Sequence, residues 1–145
     1  MADLVTNVGK EYVFDVDQDT DSITLLLYSD ATDALTESDD LSAITTEPDT
    51  AQTYARQTSA IQTKSINTNF GFDNETDFVF DVSGNSENVD AAGLVANFAS
   101  SVAGDGGTAT DHLIAAAFLT QTRDLLEFDT LTVVAGDLTF VGRNP

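Results

Sequence analysis

Alternation between apolar and polar positions is clearest from Asn69 to Val82, NFGFDNETDFVFDV. Phe70, Phe72, Phe78, Phe80 and Val82 share one parity, and Gly71, Asp73, Asp77, Val79 and Asp81 share the other. A side-chain period of two sets the rings on one face of an extended chain and most carboxylates on the opposite face. A period of 3.6 would scatter the same five apolar residues around a cylinder, which excludes a helix. Asp73-Asn74-Glu75 is turn-prone, so the stretch predicts two short strands around a turn, or one strand with a bulged interruption.

The other segments predict a cover for that apolar face. Leu4, Val5, Val8 and Tyr12 form a helical stripe, giving a short N-terminal helix over about residues 3–14 with Asp3 as its cap. Gly9 weakens that helix by about 1 kcal/mol relative to Ala. Ile23 to Tyr28, ITLLLY, is apolar on both parities, as in a central strand covered on both faces. A long acidic loop follows over about residues 29–53, with one helical turn near Thr36 to Leu41, where Thr36 caps and Asp39 answers it. Loops of this length contact a partner or are solvated insertions. Arg56 to Asn67 predicts a strand with a bulge or twist, because Ile61 and Ile66 differ in parity. Val89 to Val102 and Leu113 to Thr122 read as strands joined through the Gly-rich turn AGDGGTAT. Leu131 to Val134 and Leu138 to Val141 predict a closing hairpin around Gly136-Asp137. Together these elements make a single all-β domain spanning 1–145, an antiparallel β-sandwich or jelly-roll-like fold with a short N-terminal helix.

Composition narrows the class. Five Lys and Arg against 25 Asp and Glu give a net charge of −20. Self-repulsion of that size destabilises a compact state in ordinary buffer. In molar salt the Debye length falls to about 3 Å, against about 8 Å at physiological ionic strength, and the repulsion is screened. The acids are spread along the chain among nine Phe and three Tyr, unlike those of a disordered acidic tail. A folded domain from a hypersaline setting is the expectation. So few cations argue against direct nucleic-acid contact. The absence of Cys excludes disulfides and thiolate metal sites. MADLVTNVGK lacks the features of a secretory signal, and no apolar run reaches the length of a membrane-spanning helix, so no membrane contact is expected.

Candidate chemistry is sparse. Asp15, Asp17, Asp19 and Asp21 alternate like calcium-loop ligands, but Thr20 stands where the sharp turn needs Gly and Leu26 where a bidentate Glu is required. A solvated loop is the better reading, and neither a metal nor another cofactor is expected. His112 is the only histidine, and with no Gly-x-Ser-x-Gly elbow to anchor a nucleophile it reads as a polar residue at a strand start. Gly104-Asp105-Gly106-Gly107 has no following Lys and so does not cradle phosphate. Arg56 and Lys64 are expected to pair with carboxylates, within the subunit or across an interface. Abundant carboxylates are explained by salt and are no evidence of acid–base catalysis, so no catalytic residue is assigned.

The order VTNVGKEYVF, SITLLLYSD, an acidic Thr-rich loop leading to YARQT, the Phe-bearing strand and a closing DTLTVVAGDLTFV resembles small virion structural proteins of tailed viruses. With the halophilic composition it is similar to those of haloarchaeal viruses. The resemblance implies a non-enzymatic subunit located in the virion that forms a homo-oligomer, a trimer or pentamer, as a head decoration, turret or minor capsid component. Its implied partners are its own copies and other virion proteins such as the major capsid protein. The alternatives are a halophilic β-sandwich binding module for carbohydrate or a surface ligand, or a tail or connector component.

Overall fold

The computed structural model describes residues 4–15, 22–66, 69–74, 76–134 and 139–142, with side chains described at 4–12, 23–58 and 76–134. The chain is mostly β, and its strands pair antiparallel throughout the described residues. In chain order come β1 (Leu4–Val5), α1 (Asn7–Asp15), β2 (Ser22–Tyr28), α2 (Asp30–Asp33) and β3 (Gln57–Ile66). There follow β4 (Asn69–Asn74), β5 (Phe78–Asp81), β6 (Asn88–Phe98), β7 (Thr110–Asp124), β8 (Thr130–Val133) and β9 (Thr139–Gly142). Seven strands form one sheet in the order β1-β7-β6-β2-β3-β4-β9, and β5 pairs with β8 in a two-stranded ribbon.

Strand β2 is central and buried on both faces, as its unbroken apolar run predicts. Ile23, Leu25 and Leu27 enter the larger core with Phe78, Phe80, Val82, Tyr54, Leu94 and Phe98. Leu26 and Tyr28 point the other way, packing with Ala91, Val95 and Ala116. Each such side chain contributes about 1.5–3 kcal/mol on burial. The second face is closed by the 29–53 loop itself, whose Leu35, Leu41 and Ile44 lie against it. The loop was expected to reach a partner or solvent; instead it is the lid of its own sheet, because Tyr28 and its neighbours would otherwise face water.

The N-terminus departs from the expected helix. Leu4 and Val5 pair with Ala116 and Ala115 as an edge strand, and the helix begins only at Asn7. Thr6, and not Asp3, caps it: the Thr6 hydroxyl accepts from Gly9 N at 2.9 Å and donates to Leu113 O at 2.6 Å. That bond has a structural cause in a one-residue bulge of β7, where Leu94 faces Ala115 but Val95 faces Leu113, leaving Ile114 without a cross-strand partner on β6. Thr6 N donates to the carbonyl of Ile114 at 3.2 Å. Gly9 is required here, because a Cβ would come within 1.8 Å of the Ile114 carbonyl oxygen.

Two further expectations are corrected. Strand β3 has no bulge; it pairs with β2 through Ala60 and with β4 from Ile61, each in constant register, so one strand changes partner midway. The predicted closing hairpin does not form. β8 pairs with β5 and β9 with β4, so the two halves lie in different sheets. Among the described residues β4 with β9 and β5 with β8 are two separate pairs, the first at the sheet edge and the second over the larger core. The Phe-rich stretch thus supplies two short strands, the first of the two readings its alternation allowed. Phe78, Phe80 and Val82 are fully buried and Val79 is exposed, as the alternation requires. Phe70 and Phe72 lie outside the described side chains.

Candidate functional site

His112 gains its surroundings from three separate segments. It sits near the start of β7, 4% exposed, with its ring edge-on to Phe98 at 5.4 Å. Its Nδ1 lies 2.6 Å from Asp40 Oδ2 in the lid loop, and its Nε2 lies 2.6 Å from Asp105 Oδ2 in the β6–β7 turn. A carboxylate only accepts, so both ring nitrogens must carry protons and the ring is an imidazolium. Burial pushes the His112 pKa down, but the bonds to Asp40 and Asp105 outweigh it and hold the pKa above its ordinary value.

The carboxylates are themselves fixed. Asp40 accepts from Leu41 N at 2.7 Å and Leu113 N at 2.8 Å, and Asp105 accepts from Ser100 N at 2.9 Å. Burial raises the Asp40 pKa, yet His112 and the two amides bring it below the usual carboxylate range. The Ser100 amide and then His112 do the same for Asp105. The Gly-rich turn that presents Asp105 uses positive φ at Gly104, Gly106 and Gly107, backbone that L residues rarely adopt. Ser100 continues the network, its hydroxyl donating to Glu11 of α1 at 2.5 Å.

Thr110 Oγ1 is 2.9 Å from His112 Nε2, so Thr110, His112 and Asp40 superficially trace a hydroxyl–imidazole–carboxylate relay. The second carboxylate disables it, because an imidazolium hydrogen-bonded at both nitrogens has no lone pair with which to take a proton. The cluster is a clasp joining lid, turn and sheet. Asp111, the acid next in sequence, pairs with Asn97 at 2.7 Å and takes no part.

The other singled-out residues do not converge. Arg56 pairs within its own subunit, with Nε and Nη2 each 2.7 Å from a Glu47 oxygen. Lys10 meets Glu37 at 2.9 Å. The Tyr54 hydroxyl accepts from Leu27 N and donates to Glu47, and burial raises its pKa. The Lys64 side chain and Asp17, Asp19 and Asp21 lie outside what is described, as does the side chain of Asp15; among the described residues no group of acids or histidines is placed to hold a metal ion.

What sequence reasoning missed is how many carboxylates work inside the fold. Asp33 accepts from the amides of Thr45 and Thr46, Asp90 from those of Asp30 and Ala31, and Glu87 from those of Asp49 and Ser86. Asp39 accepts from Thr36 N at 2.7 Å, the one reciprocal contact the 36–41 pattern anticipated, although it closes a turn and the helical pieces fall on either side. Comparison of the chain with protein-family models, with curated proteins and with solved structures finds no match.

Proposed function

We propose that this protein is a non-enzymatic, homo-oligomeric structural component of a virion, a capsid decoration, turret or minor capsid subunit adapted to high salt. The observation that carries the reading is the open ribbon. Among the described residues β5 and β8 pair only with each other, so each leaves one edge without a strand neighbour. Val79 of β5 stands about half exposed on this ribbon. An uncovered strand edge carrying an apolar side chain on an acidic surface suits association with further copies. Screening in brine lets chains of net charge −20 approach one another. The one histidine is held at both ring nitrogens by carboxylates, and this supports a structural part over a catalytic one.

Light scattering on a sizing column in molar NaCl should give a closed oligomer, a trimer or pentamer, which Val79→Lys reduces to a folded monomer. Transfer to millimolar NaCl should loosen or dissociate it, and the chain should be recovered from purified particles in ring stoichiometry. A strict monomer in brine would sink the assembly, and unchanged size and circular dichroism after dilution would sink the salt adaptation. A binding module is the second reading, favoured by an open cleft beside β8.

A further inference from the structure

The pairing of β6 with β7 breaks near the far end of the sheet. Val89 faces Arg123 and Ala91 faces Phe118, so two steps on β6 are matched by five on β7. The three extra residues push β7 away from its neighbour just where the ribbon passes. What opens is a cleft of about 320 Å³, with buried Leu27 and Phe80 as its floor and partly buried Leu119, Phe128 and Leu131 as its walls. A mostly apolar concavity of this size with a few polar groups at its rim is the usual form of a small-molecule site.

The rim holds Arg123, whose guanidinium lies 5.8 Å from the centre of the Phe128 ring. Lys10 and Arg56 are each satisfied by a glutamate, whereas Arg123 makes no ion pair among the described residues. Acids follow it closely in sequence. Asp124 turns instead to cap the following turn, accepting from Leu126 N at 3.0 Å, and Glu127 and Asp129 are exposed. A guanidinium without an ion pair among the described residues, over an apolar cleft in a chain with five times as many acids as bases, is a complement for one kind of occupant.

We infer that this cleft binds a small amphipathic carboxylate, its hydrocarbon against Leu119, Phe128 and Leu131 and its carboxylate on Arg123. The site does not depend on assembly into a ring, and its test is separate from the measurement of oligomeric state.

Octanoate and octylammonium distinguish the site from general attraction, since a chain of net charge −20 would by itself favour the cation. Titrated into the whole chain in molar NaCl, octanoate should shift the amide resonances of residues 119–133 saturably and bind roughly tenfold more tightly than octylammonium, the scale of a charge-assisted pair. Arg123→Gln should erase that preference while leaving the spectrum of a folded protein, and Arg123→Lys should restore part of it. Equal or tighter binding of the amine, an unaltered preference in Arg123→Gln, or no saturation by octanoate would each overturn the proposal.

Discussion

One face of the seven-stranded sheet is covered by fully buried aromatic side chains, the other by a loop whose shape hydrogen-bonded carboxylates hold. Over the larger core, β5 brings Phe78, Phe80 and Val82, with Phe80 stacked on Tyr54 at 5.9 Å and 4° between planes. Over the opposite face the 29–53 loop contributes only partly buried Leu35, Leu41 and Ile44, and its shape is held by Asp33, Asp39, Asp40 and Asp90 accepting backbone N–H groups. The aromatic cover that β5 brings holds no group that titrates near neutrality, although the His112 ring packs at the margin of the same core, against Phe98. The second depends on the charge state of its acids and of His112. In an acid-rich chain, carboxylates therefore serve both as solvated skin and as the joints of a lid that regular secondary structure does not supply.

The sharpest separation comes from emptying the apolar cover. Phe80→Ala removes a fully buried ring and should lower global stability by about 3–5 kcal/mol, read from denaturant unfolding in molar NaCl. If the loss is confined to residues near the ribbon while the sheet keeps its unfolding midpoint, the larger core is not what holds the domain together.

The clasp should give an intermediate effect with a defined pH dependence. Because the folded His112 pKa is raised, its contribution is complete below about pH 6.5 and is lost as pH rises through the folded value. Asp40 and Asp105 are lowered, so their contribution is present above the ordinary carboxylate range and is lost as pH falls through their folded values. Protection factors, corrected for the base catalysis of exchange itself, should thus fall in residues 36–46 and 100–110 as pH rises through the folded His112 value, while those of β5 and β8 hold. His112→Gln should reproduce the alkaline state at all pH values, at about 1–3 kcal/mol. A uniform loss of protection across both covers would mean that the lid does not open separately. The smallest effect is expected at Arg56→Gln, about 0.5 kcal/mol by shift of the denaturant midpoint, since that pair is partly solvated. A loss several times larger would place Arg56 among the joints of the lid.

Much of the fold was legible in local pattern. Ile23 to Tyr28 read as a strand covered on both faces, and the parity of Phe78, Phe80 and Val82 separated inside from outside. The closing hairpin was misread because Ala135-Gly136-Asp137 looks like a local turn, whereas β8 and β9 answer to β5 and β4, some sixty residues earlier in the chain. Gly9 was taken as a weakness of the helix, and only the approach to the Ile114 carbonyl shows that the helix could not lie there without it. The His112 clasp was hidden for a different reason. With 25 acids in 145 residues His112 has many carboxylates it could meet, and sequence spacing does not tell Asp40, 72 residues away, from the rest.

By itself the sequence determined the class of the fold, the buried parity of its strands and the charge of its surface, because side-chain period and ionisation are local properties. Which strands pair, what lids each face, which acids clasp His112 and which cation stands over a cleft were decided only in three dimensions. Those outcomes follow from packing between distant segments, where three extra residues in a strand redirect everything beyond them.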